Sequence, residues 1–241
     1  GGNIGLLASD KGLVLIDDQF QPLAKKIEAA MKEIKDTPLK YVVNTHYHGD
    51  HTGSNTYFSH KAPIFAHHNV RIRLASKENA DTDALPVVTY DDGVTIHIGE
   101  ETVDLKHYPK GHTDGDTVVY FKKANVLHPG DLFFEGRFPY VDLNGGGSVK
   151  GYLANIKKII ASMPDDVKII PGHGKLASKA DYQKVVIMME YSIKRVAGML
   201  ANGKTDKEIL AAGIGDTYKQ WSWRFITEEK WIKTLLADLK K

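Results

Sequence analysis

Four side chains of types that commonly bind metal ions lie within six positions of this sequence. They are His46, His48, Asp50 and His51, in the segment THYHGDH (residues 45–51). Imidazole nitrogens and carboxylate oxygens suit zinc and the neighbouring transition metals. Because four donors are crowded into one short segment, we expect a site for two metal ions rather than one.

The donors of this segment must be positioned by a strand and the loop that follows it. Leu39–Val43 is an apolar run that predicts a buried strand ending just before the motif. Side chains two residues apart point to opposite sides of a helix but to one face of an extended chain. His46 and His48 can therefore share an ion only from extended or loop backbone, which leaves Asp50 and His51 to turn toward a second ion.

Three further donors repeat this context, since each follows a strand-like apolar run and stands beside glycine. They are His112 after Thr102–Tyr108, Asp131 after Val126–Leu127, and His173 after Val167–Ile170. Glycine allows the sharp turn that such a loop needs, and strand ends are where α/β proteins gather reacting groups. Any one of the three alone reads as a surface turn residue. Their shared context makes them candidate ligands.

Strand and helix patterns alternate along the rest of the chain. Paired apolar runs around turns predict two hairpins, and isolated runs predict two more strands. Helical spacing begins after Pro22, again at Asn69, and after a Ser148 cap, and continues from Asp181 onward. The strand segments are Ile4–Ala8 with Leu13–Ile16, Val94–Ile98 with Thr102–Tyr108, Ile64–Ala66 and Val118–Phe121. The remaining histidines are predicted as cap, surface or strand residues, namely His60, His67, His68, His97, His107 and His128.

The composition limits the classes of protein that fit. With 241 residues, of which 42% are hydrophobic, the chain can bury a substantial core. We therefore predict a single domain over 1–241, with a mainly helical C-terminal segment, 181–241. The formal net charge of +2 gives no basic field that would hold nucleic acid, so no nucleic-acid partner is expected.

Cysteine is absent, so any metal must bind to nitrogen and oxygen, and no disulfide can form. No apolar run approaches the roughly 20 residues of a membrane span, so no membrane partner is expected. The chain begins Gly1-Gly2-Asn3-Ile4 without methionine, and we expect that a leader or first strand is missing. The bacterial periplasm and the cytoplasm both stay open as locations.

The ordered motifs resemble those of the metallo-β-lactamase superfamily of hydrolases over nearly the whole chain. The resemblance is carried by residues 46–51, then His112, Asp131 and His173, and by the strand end Leu15-Ile16-Asp17. It implies an α+β fold, a four-layer αββα sandwich of two mixed β-sheets flanked by helices. It also implies one ion on His46, His48 and His112, a second on Asp50, His51 and His173, and Asp131 as the bridge.

Within the superfamily, the aspartate at position 131 is informative. Zinc β-lactamases known for resistance have cysteine there, and another branch has serine. Asp131 instead resembles the glyoxalase II-like and lactonase-like branches. The resemblance therefore implies cleavage of an ester, thioester, lactone or amide in a small molecule, with only weak β-lactam hydrolysis expected.

Two divalent ions, zinc foremost and iron or manganese as alternatives, would serve this chemistry. Cations about 3.5–4 Å apart can share a hydroxide and lower the pKa of water from 15.7 toward about 7. We expect that bridging hydroxide to be the nucleophile and Asp50 to be the catalytic residue that orients it. The alternatives are a phosphodiesterase or nuclease of the same superfamily, and a non-catalytic metal-binding protein. A homo-oligomer also stays open.

Several residues near the ligands are candidates for substrate binding or support. Aromatic residues and an arginine follow Asp131, and Phe134, Arg137 and Tyr140 are the predicted pocket residues. Asp17 and Thr113 are candidates for holding ligand histidines from behind. Two further predictions concern a flexible hinge at Gly145-Gly146-Gly147 and packing of Trp221 and Trp223 on the last helix or against another subunit.

Overall fold

Two β-sheets lie at the centre of the structure, a computed structural model that describes residues 1–240. The first sheet comes from the N-terminal part of the chain and the second from the part that follows. The first contains β1 (Gly5–Ser9), β2 (Gly12–Ile16), β3 (Leu39–Val43), β4 (Ile64–His67) and β5 (Val88–Tyr90). The second contains β6 (Gly93–Ile98), β7 (Glu101–His107), β8 (Thr117–Phe121), β9 (Val126–His128), β10 (Lys168–Ile169) and β11 (Ala177–Ser178).

Both sheets are mixed. In the first, the order is β1-β2-β3-β4-β5, with an antiparallel β1–β2 hairpin and parallel pairing from β2 to β5. In the second, the order is β11-β10-β9-β8-β7-β6, and only β9 and β10 pair in parallel. The carboxyl ends of β3, β9 and β10 each lead directly into a segment that carries predicted ligands.

Strand alternation explains how the first sheet is covered on both faces. Along β2, Val14 and Ile16 pack in the core that also holds Val103 and Val119 of the second sheet. Leu13 and Leu15, which point to the other face, pack in a separate core with helical residues. Because β2 lies between two packed layers, both of its faces are buried, and its sequence is apolar throughout.

Helices cover the outer faces of both sheets. They are α1 (Ala24–Ile34), α2 (Gly49–Thr52), α3 (Asn55–Ser59), α4 (His68–Ala75), α5 (Val149–Ser162), α6 (Lys179–Ala201), α7 (Asp206–Ala212) and α8 (Glu228–Leu239). Met31 of α1 and Phe58 of α3 pack on the first sheet. Residues of α5, α6 and α8 share a core with Leu127 and Ile169 of the second. The predicted αββα sandwich of two mixed sheets is confirmed, and among residues 1–240 no helix is long and apolar enough to cross a membrane.

Local signals fix several helix ends as predicted. The Ser148 hydroxyl accepts a hydrogen bond from the amide of Gly151 at the start of α5. The buried carboxylate of Asp238, on α8, accepts from the amide of Val149 at 3.0 Å. His67 caps α4, because its ring nitrogen Nδ1 accepts a hydrogen bond from the amide of Asn69; this agrees with the interpretation of His67 as a cap residue. The C-terminal helices are thus tied to the second sheet and to α5.

Candidate metal centre

The loops after four strands bring the predicted ligands to one place. His46 and His48 lie between β3 and α2, and His48 itself has extended backbone. Asp50 and His51 lie in α2, a single helical turn where the sequence predicted a loop. The other three donors follow β7, β9 and β10, namely His112, Asp131 and His173. All seven side chains fall into two adjoining groups.

The first group contains His46, His48, His112 and Asp131, with one donor atom of each within 4.8 Å of the others. The Nδ1 atom of His48 lies 2.9 Å from Nε2 of His112. The Oδ2 atom of Asp131 lies 3.5 Å from Nε2 of His112 and 3.7 Å from Nε2 of His46. Three imidazoles and a carboxylate therefore face one small volume.

The second group contains Asp50, His51 and His173. The Oδ2 atom of Asp50 lies 3.4 Å from Nε2 of His173 and 3.7 Å from Nε2 of His51. Asp131 approaches this group too, at 3.3 Å from His173 and 3.2 Å from His51. Its carboxylate therefore stands between the two groups.

The donor atoms are arranged to bind metal ions rather than to form hydrogen bonds with one another. Nε2 of His46, Nε2 of His51 and Oδ1 of Asp131 are buried and have no hydrogen-bond partner within the described chain. Buried polar atoms are almost always paired, because an unpaired one loses its hydration without compensation. An electrophilic ion among these nitrogen and oxygen atoms would satisfy all three, and the donor types are those of zinc, iron and manganese sites.

The far nitrogen of each of four imidazoles is held from behind. Nδ1 of His51 lies 2.7 Å from Asp17 Oδ2, and Nδ1 of His112 lies 2.8 Å from the carbonyl oxygen of Tyr140. Nδ1 of His46 lies 3.1 Å from the Thr45 hydroxyl, and Nε2 of His48 lies 2.9 Å from Asp142 Oδ2. In a neutral imidazole, an acceptor at the far nitrogen holds the proton there, so the near nitrogen, which faces the cluster, is free to bind an ion.

Asp17 is placed as predicted, behind a histidine of the cluster. Its carboxylate accepts hydrogen bonds from the amide of Thr45 at 2.7 Å and from the Thr45 hydroxyl at 2.8 Å, and it also contacts His51. Its backbone has a φ of 60°, a left-handed conformation that costs energy for a side chain other than glycine. The strained strand end is thus held by the bonds that fix the ligand loop.

Thr113, a candidate support for His112, forms its hydrogen bonds within the loop. Its amide and hydroxyl both donate to the buried carboxylate of Asp116, within its own turn. The ring of His112 is held by the Tyr140 carbonyl instead. Thr113 therefore shapes the loop that carries His112 rather than orienting the imidazole.

Burial and neighbouring charge set the protonation of the cluster. Burial lowers the pKa of His46, and it lowers the pKa of His112 to about 3. Burial also disfavours the charged form of His51, but the carboxylates of Asp131 and Asp17 outweigh it and raise the pKa of that imidazole. For Asp131, burial is outweighed by the neighbouring imidazoles, which hold its pKa well below the usual value. The neutral imidazoles of His46 and His112 and the ionised carboxylate are the forms that bind metal, and His51 would give up its proton on binding an ion.

Two residues that support the cluster gave no signal in the sequence. The Asp142 carboxylate contacts His48 and accepts from the hydroxyl of Tyr47 and from the amide of Gly145 at 2.8 Å. The Asn3 side-chain amide donates to the carbonyls of Pro171 and Gly174, on either side of His173. Both contacts join segments far apart in the chain, so spacing could not reveal them.

The triple glycine, predicted as a flexible hinge, lies in a tightly bonded loop. Gly145 donates to Asp142, and its carbonyl accepts from the amide of Asp114 at 3.0 Å. Gly146 has a φ of 80°, and a Cβ on Gly147 would stand 2.4 Å from the His112 carbonyl oxygen. Glycine is therefore required for the left-handed turn and the close backbone approach behind the site.

Replacing Asp142 with asparagine is expected to weaken metal binding and kcat/KM by about 10- to 100-fold. An amide has one oxygen and one NH2 group, so it cannot accept from Tyr47, His48 and Gly145 together. Competition with a chelator measures the metal affinity. The control is Asp104→Asn, a carboxylate that pairs with Lys122 at the surface. Equal metal retention by both variants would contradict the positioning role.

A pocket of about 460 Å³ opens over both groups of donors. The predicted pocket residues Phe134, Arg137 and Tyr140 all line it, beside His48, Asp50 and His173 of the cluster. Trp223 and Phe225 form the rest of the wall. Trp221 and Trp223 both pack against the core that contains residues of α6 and α8, and Trp223 lines the pocket as well.

Comparison with known proteins decides the family. The sequence profile described as "Metallo-beta-lactamase superfamily" matches residues 1–173, well over half of the chain. The chain belongs to the metallo-beta-lactamase superfamily. The matched residues include all seven side chains of the cluster, and they end at His173. The pocket residues Trp223 and Phe225 therefore lie outside the part that the family profile describes.

Relatives within the superfamily support the hydrolase class. An uncharacterised protein of Aquifex aeolicus is 29% identical over 83% of this chain and 94% of its own length. The probable metallo-hydrolase YqgX of Bacillus subtilis is 27% identical over 71% of this chain and 87% of its own length. A hydroxyacylglutathione hydrolase of Polaromonas is 28% identical over 64% of this chain and 56% of its own length. The predicted enzyme class, a hydrolase of this superfamily, is confirmed.

Solved structures with the same fold are also enzymes of this superfamily by name. A metallo-beta-lactamase from Pontibacter korlensis superposes with a TM-score of 0.70, at 21% identity over 78% of this chain and 87% of its own. The metallo-beta-lactamase IND-7 gives 0.69, at 24% identity over 78% of this chain and 86% of its own. At these identities the similarity establishes the fold.

Proposed function

We propose that this protein is a dinuclear metal-dependent hydrolase that cleaves an ester, thioester, lactone or amide in a small molecule. The observation that carries the proposal is the placement of the Asp131 carboxylate, within 3.7 Å of imidazole nitrogens in both groups of donors. A carboxylate between two such groups suits a pair of cations. A single structural ion would need about four donors, and seven are gathered here.

In this proposal the seven donor residues form two ion-binding sites. His46, His48 and His112 would hold one, Asp50, His51 and His173 the other, and Asp131 would contact both. Zinc is the proposed metal, with iron and manganese sharing the same donor preferences. When bound, two such ions supply an activated water and a Lewis acid for the substrate carbonyl.

Asp50 is the proposed catalytic residue among the carboxylates of the site. Its side chain keeps 21% of its surface exposed and lines the pocket, whereas that of Asp131 keeps 4%. The Oδ2 atom of Asp50 can therefore accept a hydrogen bond from a water at the pocket floor and orient it toward a substrate. The same oxygen can pass a proton toward the leaving group.

The pocket walls favour a carboxylic acyl substrate over a phosphodiester. Phe134, Tyr140, Trp223 and Phe225 give the wall four aromatic rings besides the histidines, and Arg137 is the single basic side chain besides the histidines in the lining. A phosphodiester carries charge on each linkage and is usually met by several cationic groups. The name of the Polaromonas relative, hydroxyacylglutathione hydrolase, supports an acyl substrate for this chain as well.

A substrate panel on zinc-loaded protein tests the proposal. A cephalosporin, a lactoyl thioester, an acyl-homoserine lactone and a phosphodiester are compared by kcat/KM under one set of conditions. We expect turnover of the thioester or the lactone, weak turnover of the cephalosporin and none of the phosphodiester. Hydrolysis of the phosphodiester alone would contradict the proposed function and assign the chain to the nuclease branch. Absence of turnover with every substrate, in protein that retains its metal, would favour a non-catalytic role.

A further inference from the structure

One wall of the pocket is supplied by the chain that follows the matched family region. Trp223 and Phe225 lie between a 3-10 turn, Asp216–Trp221, and the start of α8. Their ring centroids are 5.6 Å apart, and the ring of Phe225 lies 5.2 Å from that of Tyr140. On the other side, Trp223 lies 5.9 Å from Phe134 and from His173. An unbroken band of ring surface therefore runs from the cluster to the pocket mouth.

Hydrogen bonds fix this wall in place. The indole Nε1 of Trp223 donates to the carbonyl of Phe138 at 2.9 Å, and the Phe138 amide donates to the carbonyl of Trp221 at 2.9 Å. The Trp223 amide donates to the carbonyl of Ile226, a buried residue. The loop is thus tied to the segment that follows Asp131. Because the indole N–H is already bonded, Trp223 offers a substrate its ring face and no polar group.

The wall also offers little to a strongly polar substrate. Arg137 is the single guanidinium in the lining, and it lies over the ring of Trp223, 5.4 Å from the centroid. A sugar or a polyol bound against Trp223 and Phe225 would lose water without gaining matching hydrogen bonds from those two side chains, which is costly. A planar aromatic group would gain ring contacts at the 4.5–7 Å centroid spacing that such pairs prefer. The volume of about 460 Å³ lies within the range of small-molecule sites, about 300–1,000 Å³.

We infer that Trp223 and Phe225 select substrates that carry a planar aromatic group within a few bonds of the scissile carbonyl. The inference rests on the proposed function, because the carbonyl must reach the donors at the pocket floor while the ring lies against the wall formed by Trp223, Phe225 and Tyr140. The C-terminal segment then determines which substrates bind, and the metal-binding cluster carries out the hydrolysis.

Matched thioesters test this inference. The acetyl thioester of N-acetylcysteamine has no aromatic ring. Its phenylacetyl thioester has a ring on the acyl side of the carbonyl, and the acetyl thioester of benzyl mercaptan has a ring on the thiol side. We expect kcat/KM to be at least about tenfold higher for one of the aromatic substrates. Trp223→Ala and Phe225→Ala should each remove most of that preference, largely through KM. In both variants, hydrolysis of the N-acetylcysteamine acetyl thioester, which carries no ring, should fall by a smaller factor than hydrolysis of the preferred aromatic substrate.

The controls separate a specific effect from a folding defect. Tyr191→Ala removes a half-exposed aromatic ring on α6, outside the pocket, and should keep the full preference. Trp223→Phe keeps a ring at the site and should restore most of the preference that Trp223→Ala loses. Phe225 is 48% exposed, so Phe225→Ala tests the wall even where Trp223→Ala lowers stability.

A binding measurement distinguishes the failure of this inference from the failure of the proposed function. Phenylacetate and acetate are titrated into zinc-loaded wild-type and Trp223→Ala protein by calorimetry. Tighter binding of phenylacetate that depends on Trp223 would support the aromatic site even if no thioester were cleaved, and the proposed function would then fail alone. Equal hydrolysis of all three thioesters would overturn the aromatic preference, as would equal binding of both acids by a protein that also shows no preference for the benzyl mercaptan thioester.

Discussion

Replacing His48 with alanine is expected to lower hydrolysis by on the order of a thousandfold or more and to reduce bound metal from about two ions per chain toward one. His48 supplies one of three imidazoles in the first group, and its Nδ1 atom lies 2.9 Å from Nε2 of His112. A site left with two imidazoles and a shared carboxylate has too few donors to retain an ion tightly. The second group keeps its own donors, so its ion should remain.

Elemental analysis of the purified variant and its kcat/KM on the best acyl substrate check this prediction. The matched control is His60→Ala, which removes an exposed histidine 4.0 Å from Asp83 at the surface. Wild-type protein stripped with a chelator should lose activity and regain it on addition of zinc. Full turnover by the stripped protein would rule out metal-dependent hydrolysis, and full metal content in His48→Ala would remove His48 from the ligand set.

The cluster could be found from the sequence because each donor lies close to a signal in the chain. The segment THYHGDH directly follows β3, a strand whose predicted bounds, Leu39–Val43, are those in the structure. Asp131 and His173 follow β9 and β10, which pair in parallel, so their carboxyl ends meet at one edge. Strand ends that share an edge bring distant residues together without any further information.

The residues behind the ligands could not be found in this way. Asp142 contacts His48 across 94 residues of sequence, from an irregular segment with no periodic pattern. Trp223 reaches the pocket because its loop is bonded to Phe138, 85 residues earlier. Such contacts depend on how the loops pack once the sheets have formed. Tertiary packing, rather than local propensity, decides them.

Short elements were also missed, for a simpler reason. The strand β11 has two residues and β5 has three, of which Val88 and Thr89 are exposed. Such short segments show too few alternations to be separated from a turn. In the same way, α2 is four residues long and lies within the ligand motif, so its glycine and polar residues predicted a loop. Both hairpins, α4 and α5 were predicted to within one or two residues, whereas the non-helical residues 222–227 before α8 lie in a segment that was predicted as helix.

Replacing Asp131 with asparagine is expected to have the broadest effect on the cluster. Its carboxylate oxygens lie 3.2–3.7 Å from the Nε2 atoms of His46, His51, His112 and His173. An amide of the same shape keeps the packing but removes the negative charge shared by both groups of donors. Both ions should therefore bind more weakly, whereas His48→Ala weakens one. Hydrolysis should fall by on the order of a thousandfold or more, and added zinc should not restore it fully.

The matched control for this prediction is Asp238→Asn, which changes a buried carboxylate that caps α5 and has no hydrogen bond to any of the seven donors. That variant should lose about 0.5–2 kcal/mol of stability and keep both ions. Metal analysis and thermal unfolding with and without zinc separate the two cases, because a metal ion that binds more tightly stabilises the folded state by a larger free energy. A zinc-dependent rise in Tm equal to that of the wild type in Asp131→Asn would show that the carboxylate is not shared. The seven donors would then have to act as two independent sites.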